Sequence, residues 1–222
     1  MFHPAMTRTR SPPRVRVAWR CIVTPWNPPH DYFRSTDPVF ILGGGPSMKL
    51  VEPDRLRGKQ IIAVNNAGLD IAPWADVLYW ADRVWASWNR ERIPLHTGKF
   101  KVTRNVAPSI ELPCEVHVVH RRPREDFAEP GYVAGFCGGS NAMNLAVHMG
   151  ARDIVLLGFD MRPGNYHSDH RRPPTPDQHA RKFIPAIARM APELARRGVK
   201  VTNATPGSAL KCFPIAAVGD VL

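Results

Sequence analysis

The sequence predicts an α/β fold: a Rossmann-like, mostly parallel sheet with helices on both faces. Seven short segments are continuous runs of β-branched and other apolar residues, which is typical of strands covered on both faces. Segments with helical periodicity separate several of them, and this alternation favours a parallel sheet. With 222 residues, 44% of them hydrophobic, the chain is long enough for one domain with a substantial core.

The first 37 residues differ in composition from the rest of the chain. They contain six prolines, and six arginines against two aspartates. Such a density of proline breaks helices and strands alike. We therefore expect a basic, Pro/Arg-rich arm over residues 1–37 and a Rossmann-like nucleotide-binding domain over residues 38–222.

The predicted strands are spread through the whole domain. The first is VFILGG, which runs directly into a triple glycine. The complete set covers residues 39–44, 60–66, 75–82, 99–105, 114–120, 153–160 and 199–206.

The clearest predicted helix is GSNAMNLAVHMGA. Its apolar residues recur at i, i+3, i+4 and i+7 from Ala142, which gives one buried stripe. A polar stripe lies opposite, formed by Asn141, Asn144 and His148.

A second helix is predicted from its capping residues. Thr175 is a suitable N-cap, Pro176 suits the first helical position, and Gln178 can close a capping box. Gly198 is a natural residue to end this helix. Two internal prolines predict a kink or a division into two shorter helices.

Candidate ligand-binding residues collect beyond the carboxyl ends of the strands, where parallel α/β sheets bind their ligands. Glycine allows a tight turn and a close approach of N–H groups to an anion, and a following helix start adds partial positive charge. A P-loop would need Lys-Ser/Thr, and a dinucleotide fingerprint would need glycine in place of Met48. A phosphate cradle and a plain turn therefore both fit the first such loop, Gly43, Gly44, Gly45, Pro46 and Ser47.

A second glycine-led helix start, at Gly138, Gly139 and Ser140, favours the ligand-binding interpretation. Two such starts that face one cleft could hold a nucleotide between them. Asn65 and Asn66 follow the second strand, and their amides could contact a base or ribose because they both donate and accept hydrogen bonds. Ordinary turn chemistry is the alternative for these asparagines.

Three segments, in this order, resemble a known superfamily. They are ILGGGPSM, AVNN and GGSNAMNLAVHMGARDIVLLGFDM. The superfamily unites the bacterial sialyltransferases with the archaeal 6-hydroxymethylpterin diphosphokinase-like proteins, and it has short phage-encoded members. The similarity spans roughly residues 38–210 and implies a nucleotide or nucleotide-sugar donor.

The resemblance also implies roles for individual residues. In the sialyltransferases, a Gly-Asn-Gly-Pro-Ser loop contacts the CMP part of the donor, and an asparagine and a Ser/Thr-Ser-Gly helix start line the same site. These roles correspond here to residues 43–47, to Asn65 or Asn66, and to residues 138–140. Gly44 replaces the family's loop asparagine and Gly138 replaces a serine, so two contacts to a CMP sugar would be missing.

The pterin kinases of the superfamily bind ATP and magnesium on the same scaffold. By that resemblance, Asp82 and Asp160 at strand ends could hold Mg²⁺ in a diphosphokinase, and Asp160 is also a candidate nucleotide contact. A carboxylate in this position can equally cap the following helix.

The segment GNYHSDHRRPPTPDQHARK contains the candidate catalytic residues. A histidine can take a proton from an acceptor hydroxyl while nearby cations stabilise a leaving phosphate. The sialyltransferases use a histidine in the corresponding stretch, where His179 matches best by position and His170 and His167 are further candidates. Alternatively, His167, Asp169 and His170 could bind a metal, or the segment could be a solvated loop.

The sequence thus predicts a transferase that passes a glycosyl group from a nucleotide sugar to an acceptor hydroxyl. The first alternative is a Mg-dependent pyrophosphokinase of the hydroxymethylpterin type. The second is a non-catalytic phage or nucleic-acid-associated protein, because the basic arm and the net charge of +11 favour an anionic partner. An arginine-rich host proteome could also explain this charge.

Two further expectations concern the surroundings of the chain. There is no apolar run of about 18 residues, so we expect no membrane span. The four cysteines are widely scattered and form no CxxC pair, which favours free thiols in a cytoplasmic protein.

Overall fold

The computed structural model describes residues 26–104, 112–169 and 175–222. The strands in these ranges are β1 (Val39–Leu42), β2 (Gln60–Val64), β3 (Val77–Trp80), β4 (Phe100–Thr103), β5 (His117–Val118), β6 (His120–Arg122), β7 (Tyr132–Ala134), β8 (Asp153–Leu157) and β9 (Lys200–Asn203). The helices are α1 (Arg83–Trp88), α2 (Gly138–His148), α3 (Pro176–Gln178) and α4 (Ile184–Arg196).

Seven of the strands form one parallel sheet in the order β5-β4-β3-β2-β1-β8-β9. The predicted fold class is therefore confirmed, and each predicted strand corresponds to one strand of this sheet. The chain runs outwards from β1 to β5 and then crosses to β8 on the other side of β1. In open parallel sheets, such a reversal of strand order opens a crevice at the carboxyl ends of the strands.

Helical segments cover both faces of the sheet. On one face, the long helices α2 and α4 pack against Ile41, Ile62 and Leu156. On the other, α1 and three short 3₁₀ or π-helical segments cover the sheet; these segments are Pro46–Leu50, Pro53–Leu56 and Ala67–Ile71.

The polar stripe of α2 is buried, although polar residues opposite an apolar stripe usually face water. Asn141 and Asn144 are fully buried, and His148 is 6% exposed. The hydroxyl of Tyr79 donates to Asn141 Oδ1 (3.1 Å), and the Ala134 N–H donates to Asn144 Oδ1 (2.7 Å). Because these amides are hydrogen-bonded, the helix can be buried on both sides at little cost.

The helix that follows Thr175 begins as predicted. Thr175 Oγ1 accepts from the Gln178 N–H and Gln178 Oε1 accepts from the Thr175 N–H, which completes the capping box. Between α3 and α4 the chain forms a π-helical turn at His179–Phe183. Pro185 lies just beyond it and lacks an N–H, so the regular α-helical ladder cannot continue there. Helix α4 ends at Arg196, and Gly198, two residues beyond, has a φ of +69°, as expected of a glycine that follows a helix.

Part of the predicted N-terminal arm contacts the domain. The Trp26 ring stacks on His117 with a centroid distance of 4.8 Å, and the Trp26 N–H donates to the Val118 carbonyl. Phe33 is 3% exposed. Residues 26–37 therefore pack on the sheet, while residues 1–25 lie outside the described part. The boundary at residue 37 stays a prediction.

Two smaller features complete the fold. Strands β6 and β7, which the sequence did not predict, form a separate parallel pair before α2. No helix in the described ranges is both long and apolar enough to cross a lipid bilayer.

Candidate functional site

The glycine loop after β1 and the start of α2 line the same cleft. This cleft opens at the carboxyl edge of the sheet and has a volume of about 640 Å³. Gly43, Gly44 and Gly45 contribute to its lining from the loop, and Gly138 and Gly139 contribute from the helix. The two glycine-led segments are therefore brought together across the point where the strand order reverses.

Most N–H groups of the glycine loop already have protein partners. The Gly43 and Gly45 N–H groups donate to carbonyls at the end of β8, over 2.7 Å and 2.9 Å. The Ser47 N–H lies 3.2 Å from Asp160 Oδ1, and the Ser47 hydroxyl donates to Asp160 Oδ2 over 2.7 Å. Pro46 has no N–H. The loop is thus joined to the segment after β8, and Ser47 and Asp160 contact each other.

The three glycines differ in what surrounds them. A Cβ on Gly45 would collide with the Asp160 carboxylate, and one on Gly43 would lie 2.6 Å from the Gly158 carbonyl oxygen. Among the described residues, the nearest neighbour of a Cβ on Gly44 would be the side-chain amide of Asn165, at an ordinary 3.5 Å. Packing therefore requires glycine at positions 43 and 45, but it does not explain Gly44.

The start of α2 is the better candidate for an anion site. Cys137 is the N-cap and accepts from the Ser140 N–H, and the Ser140 hydroxyl donates back to the Cys137 carbonyl. Ser140 is fully buried and serves this cap. The N–H groups of Gly138 and Gly139 have no acceptor within the helix and lie at the cleft, where the helix dipole favours negative charge.

The two asparagines after β2 have different roles in the structure. The Asn66 amide is used on both sides: its Oδ1 accepts from Trp85 Nε1 (2.6 Å), and its Nδ2 donates to Asp70. Asn65 lines the cleft with a φ of +54°, and its Oδ1 is buried with no hydrogen-bond partner in the described structure. A buried amide oxygen without a partner is costly, so Asn65 is the asparagine available to a ligand.

The candidate catalytic histidines lie on two elements. His179 belongs to the π-helical turn, lines the cleft and packs edge-on against Phe183. Neither of its ring nitrogens has a partner among the described residues, and burial lowers its pKa. His167 also lines the cleft, and its Nδ1 accepts from the Asp169 N–H. His170 lies outside the described residues.

The candidate metal-binding carboxylates are separated from one another. Asp82 lines the cleft, but its Oδ1 caps α1 by accepting from the Val84 N–H (2.8 Å). Asp160 holds Ser47, and Asp169 is exposed. Within the ranges that the structure covers, no three His, Cys, Asp or Glu side chains lie close enough to share a metal ion.

The segment after β8 lies over the glycine loop. The Tyr166 N–H donates to the Gly44 carbonyl, and the Tyr166 hydroxyl donates to Asp70 Oδ2 over 3.0 Å. Met161 in this segment has a φ of +53°, an unusual value for a long side chain, and it also lines the cleft. These contacts bring Asn165 and His167 to the edge of the cleft.

Several lining residues were missed from the sequence. Three arginines bring positive charge to the cleft, and aromatic rings form much of its apolar surface. Arg104 stands at the end of a predicted strand, which could have marked it, whereas the others have no local signal. The missed residues are Arg83, Arg104, Arg162, Trp85, Phe136, Phe159 and Phe183.

Solved glycosyltransferases share this architecture. The MAf glycosyltransferase from Magnetospirillum magneticum AMB-1 superposes with a TM-score of 0.62 at 16% identity, over 88% of this chain and 36% of that one. This protein has a fold found in glycosyltransferases. It spans little more than a third of the MAf enzyme.

The sialyltransferase CST-II gives a similar result. In complex with a trisaccharide acceptor and CMP, it superposes with a TM-score of 0.51 at 13% identity, over 84% of this chain and 88% of that one. CstII from Campylobacter jejuni with the substrate analogue CMP-3FNeuAc gives a TM-score of 0.50 at 13% identity, over 82% and 86%. No protein-family model and no curated protein matches the sequence.

Proposed function

We propose that this protein is a transferase that binds a nucleotide sugar in the cleft and passes the glycosyl group to an acceptor hydroxyl. One observation carries the proposal. The N–H groups at the start of α2, which have no acceptor within the helix, lie on the same cleft as side-chain atoms of Asn65 and His179 that have no partner among the described residues. The fold shared with a sialyltransferase that binds CMP supports a nucleotide donor.

The donor is expected to lie with its phosphate at the start of α2. The Gly138 and Gly139 N–H groups can donate to phosphate oxygens, and the arginines of the cleft add positive charge. Asn65 would contact the base or ribose through its amide. Ser47 and Asp160 would support the site by fixing the glycine loop, beyond which Gly44 leaves room for the donor.

His179 is the proposed general base. Because burial lowers its pKa, the imidazole is neutral at pH 7 and can accept a proton. The acceptor oxygen attacks the anomeric carbon, its proton passes to His179, and the bond from the anomeric carbon to the phosphate oxygen breaks. The nucleotide leaves with the electron pair of that bond. His167 is the second candidate for the base, since it lines the same cleft.

The finer family assignment belongs to the same proposal. We place the chain with the short, phage-type members of the superfamily of sialyltransferases and 6-hydroxymethylpterin diphosphokinase-like proteins, acting in the cytoplasm. At Gly44 and Gly138 this chain lacks side chains that the sialyltransferases use. The sugar is therefore proposed only as a glycosyl group carried by a nucleotide.

Turnover assays test this function against the pyrophosphokinase alternative. Nucleotide released from nucleotide sugars is measured by chromatography, with and without EDTA, for the wild type and for His179→Gln. A metal-free glycosyl transfer should survive EDTA and be lost in the variant. Loss of turnover in EDTA, with ATP as the substrate consumed, would support the kinase, for which Asp82 is the cleft carboxylate.

The nucleic-acid alternative has a separate test. DNA binding is titrated over salt concentration for the full chain and for a chain without residues 1–25, since residues 26–37 pack on the domain. A binding constant that falls steeply with salt and depends on the removed residues would favour this alternative. A flat response would exclude electrostatic DNA binding.

A further inference from the structure

Two guanidinium groups lie beside the first turn of α2. Arg104 follows β4 and lines the cleft. Arg121 belongs to β6, and its guanidinium lies 5.3 Å from the ring centroid of Phe136, which also lines the cleft. Both charges act on the buried hydroxyl of Tyr79, which donates to Asn141 in the first turns of α2. The two arginines therefore face the same small region.

Neither arginine forms an ion pair with a carboxylate of the described residues. Arg104 Nε donates to the Ala81 carbonyl and Arg121 Nε to the Gly135 carbonyl, at long distances of 3.4 Å and 3.5 Å. Arg104 Nη1 is buried and has no partner in the described structure. Arg104 is half-buried, whereas Arg121 and the other cleft-lining arginines, Arg83 and Arg162, are exposed.

This arrangement is electrostatically unfavourable by itself. Burial, and then the charge of Arg104, lower the pKa of Arg121. Two like charges in a partly dehydrated site repel each other, and a buried guanidinium nitrogen without an acceptor loses its hydration without compensation. An anion between the arginines and the start of α2 would relieve both costs.

We infer that Arg104, supported by Arg121, binds the phosphate of the donor and neutralises it as the leaving group. This inference rests on the proposed function. When the bond from the anomeric carbon to the phosphate oxygen breaks, its electron pair stays on that oxygen, and the acceptor proton goes to His179. A guanidinium beside that oxygen stabilises this developing charge more strongly in the transition state than in the bound donor.

The two arginines have different roles. Arg104 would contact the phosphate directly, through Nη1. Arg121 lies against the Phe136 ring and acts through its charge and by holding that ring, so it is a positioning residue. A lysine can restore the charge at either position, but it lacks the planar fork with which arginine binds two phosphate oxygens.

The test measures anion affinity by calorimetry. The probes are inorganic phosphate, the four nucleoside 5′-monophosphates and the matching nucleosides. Arg104→Gln should weaken phosphate and monophosphate binding by about 10- to 100-fold and leave nucleoside binding unchanged. The affinity of Arg104→Lys for phosphate should lie between those of the wild type and Arg104→Gln. Arg121→Gln should weaken phosphate binding less, and Arg121→Lys should restore part of it at an unchanged melting temperature.

The matched control is Arg34→Gln. Arg34 is exposed, pairs with Asp37 and lies beside Gln60 at the start of β2, at the opposite edge of the sheet. The Arg34→Gln variant removes the same charge as Arg104→Gln and should bind phosphate like the wild type. If Arg34→Gln lost as much phosphate affinity as Arg104→Gln, net charge alone would be responsible and the inference would be overturned.

Two other results overturn the inference: a wild type that binds no phosphate in any form, and a folded Arg104→Gln variant that binds phosphate normally. The proposed function fails differently. If phosphate binding depends on Arg104 as expected but the wild type transfers no glycosyl group from any nucleotide sugar, the anion site stands and glycosyl transfer does not. If transfer occurs, Arg104→Gln should lower kcat as well as raise KM.

Discussion

The hydroxyl of Ser47 donates a 2.7 Å hydrogen bond to Asp160 Oδ2, across 113 positions of the sequence. The Ser47 N–H reaches the same carboxylate. This contact joins the glycine loop after β1 to the segment after β8, on the two sides of the point where the strand order reverses. The base of the cleft is thereby held in place by the protein's own side chains.

Replacing Ser47 by alanine should lower stability more than ligand affinity. The variant removes one hydrogen bond to a carboxylate, so the free energy of unfolding should fall by about 1–3 kcal/mol. Urea denaturation measures this loss. Ser87→Ala, an exposed serine on α1, is the control. Unchanged stability with a large loss of nucleotide affinity would mean that the Ser47 hydroxyl contacts the ligand instead of Asp160.

The two adjacent asparagines should separate binding from folding. Asn65→Gly keeps the left-handed backbone conformation and removes only the amide, so nucleotide affinity should fall about tenfold or more at nearly unchanged stability. Asn66→Ala leaves the buried Trp85 Nε1 without an acceptor, and its free energy of unfolding should fall by about 1–3 kcal/mol. The opposite pattern would assign the ligand contact to Asn66.

The dependence of turnover on pH should identify the general base. Protonation of His179 removes the base, so kcat/KM should fall as the pH drops through its pKa, which burial places below 6.5. Above that value the rate should be flat on this account. His179→Gln should lower kcat by about 10²- to 10⁴-fold and abolish the acid limb. An acid limb that persists in this variant but is lost in His167→Gln would transfer the role to His167.

His148 should make stability depend on pH. Burial lowers its pKa to about 4, with Nε2 lying 2.8 Å from the Ala128 carbonyl oxygen. Between pH 6.5 and 4 the unfolded chain takes up a proton there that the folded chain does not. The free energy of unfolding should therefore fall as the pH drops through this window, by about 3 kcal/mol in total.

Comparison of two variants isolates this effect from other titrating groups. His148→Gln should flatten the slope between pH 6.5 and 4, since an amide does not titrate. His30→Gln, which changes an exposed histidine, should keep the wild-type slope. Equal slopes in the two variants would show that His148 is not the responsible group.

The central strands of the main sheet could be predicted because they are short, continuous apolar runs that are buried on both faces. Val39–Leu42, for example, is completely buried. The pair β6–β7 gave no such signal, since β6 reads His-Arg-Arg and is mostly exposed. Capping residues were reliable where they act locally, as at Thr175. The internal prolines predicted an interruption, which the structure shows as a π-helical turn before Pro185, whereas α4 continues through Pro192.

The candidate site was only partly predictable. Its glycine-led segments and asparagines stand at strand ends, where a sequence pattern can find them. The Ser47–Asp160 contact could not be predicted, because the two residues meet only when β1 and β8 pair. Arg104 stands at the end of a predicted strand, but its buried Nη1 atom and the lack of carboxylate partners for Arg104 and Arg121 among the described residues could not be predicted.

Glycine substitutions should divide the loop into packing and ligand-binding positions. Gly45→Ala would collide with Asp160 and should destabilise the fold strongly. Gly44→Val places its side chain at the cleft, where Asn165 is the one described residue within 4 Å of the added Cβ, so the variant should fold with nearly the wild-type melting temperature. If the loop faces a bound donor, that variant should nevertheless bind nucleotide poorly.

The most direct test of the central claim is a thermal-shift comparison of the wild type with Gly44→Val. The ligands are CMP, UDP, GDP, ATP and their sugar conjugates. We expect at least one of them to raise the melting temperature of the wild type by mass action, and to raise that of the folded variant much less. No shift with any of these ligands at millimolar concentration, or an equal shift in both proteins, would contradict a nucleotide site between the glycine loop and the start of α2.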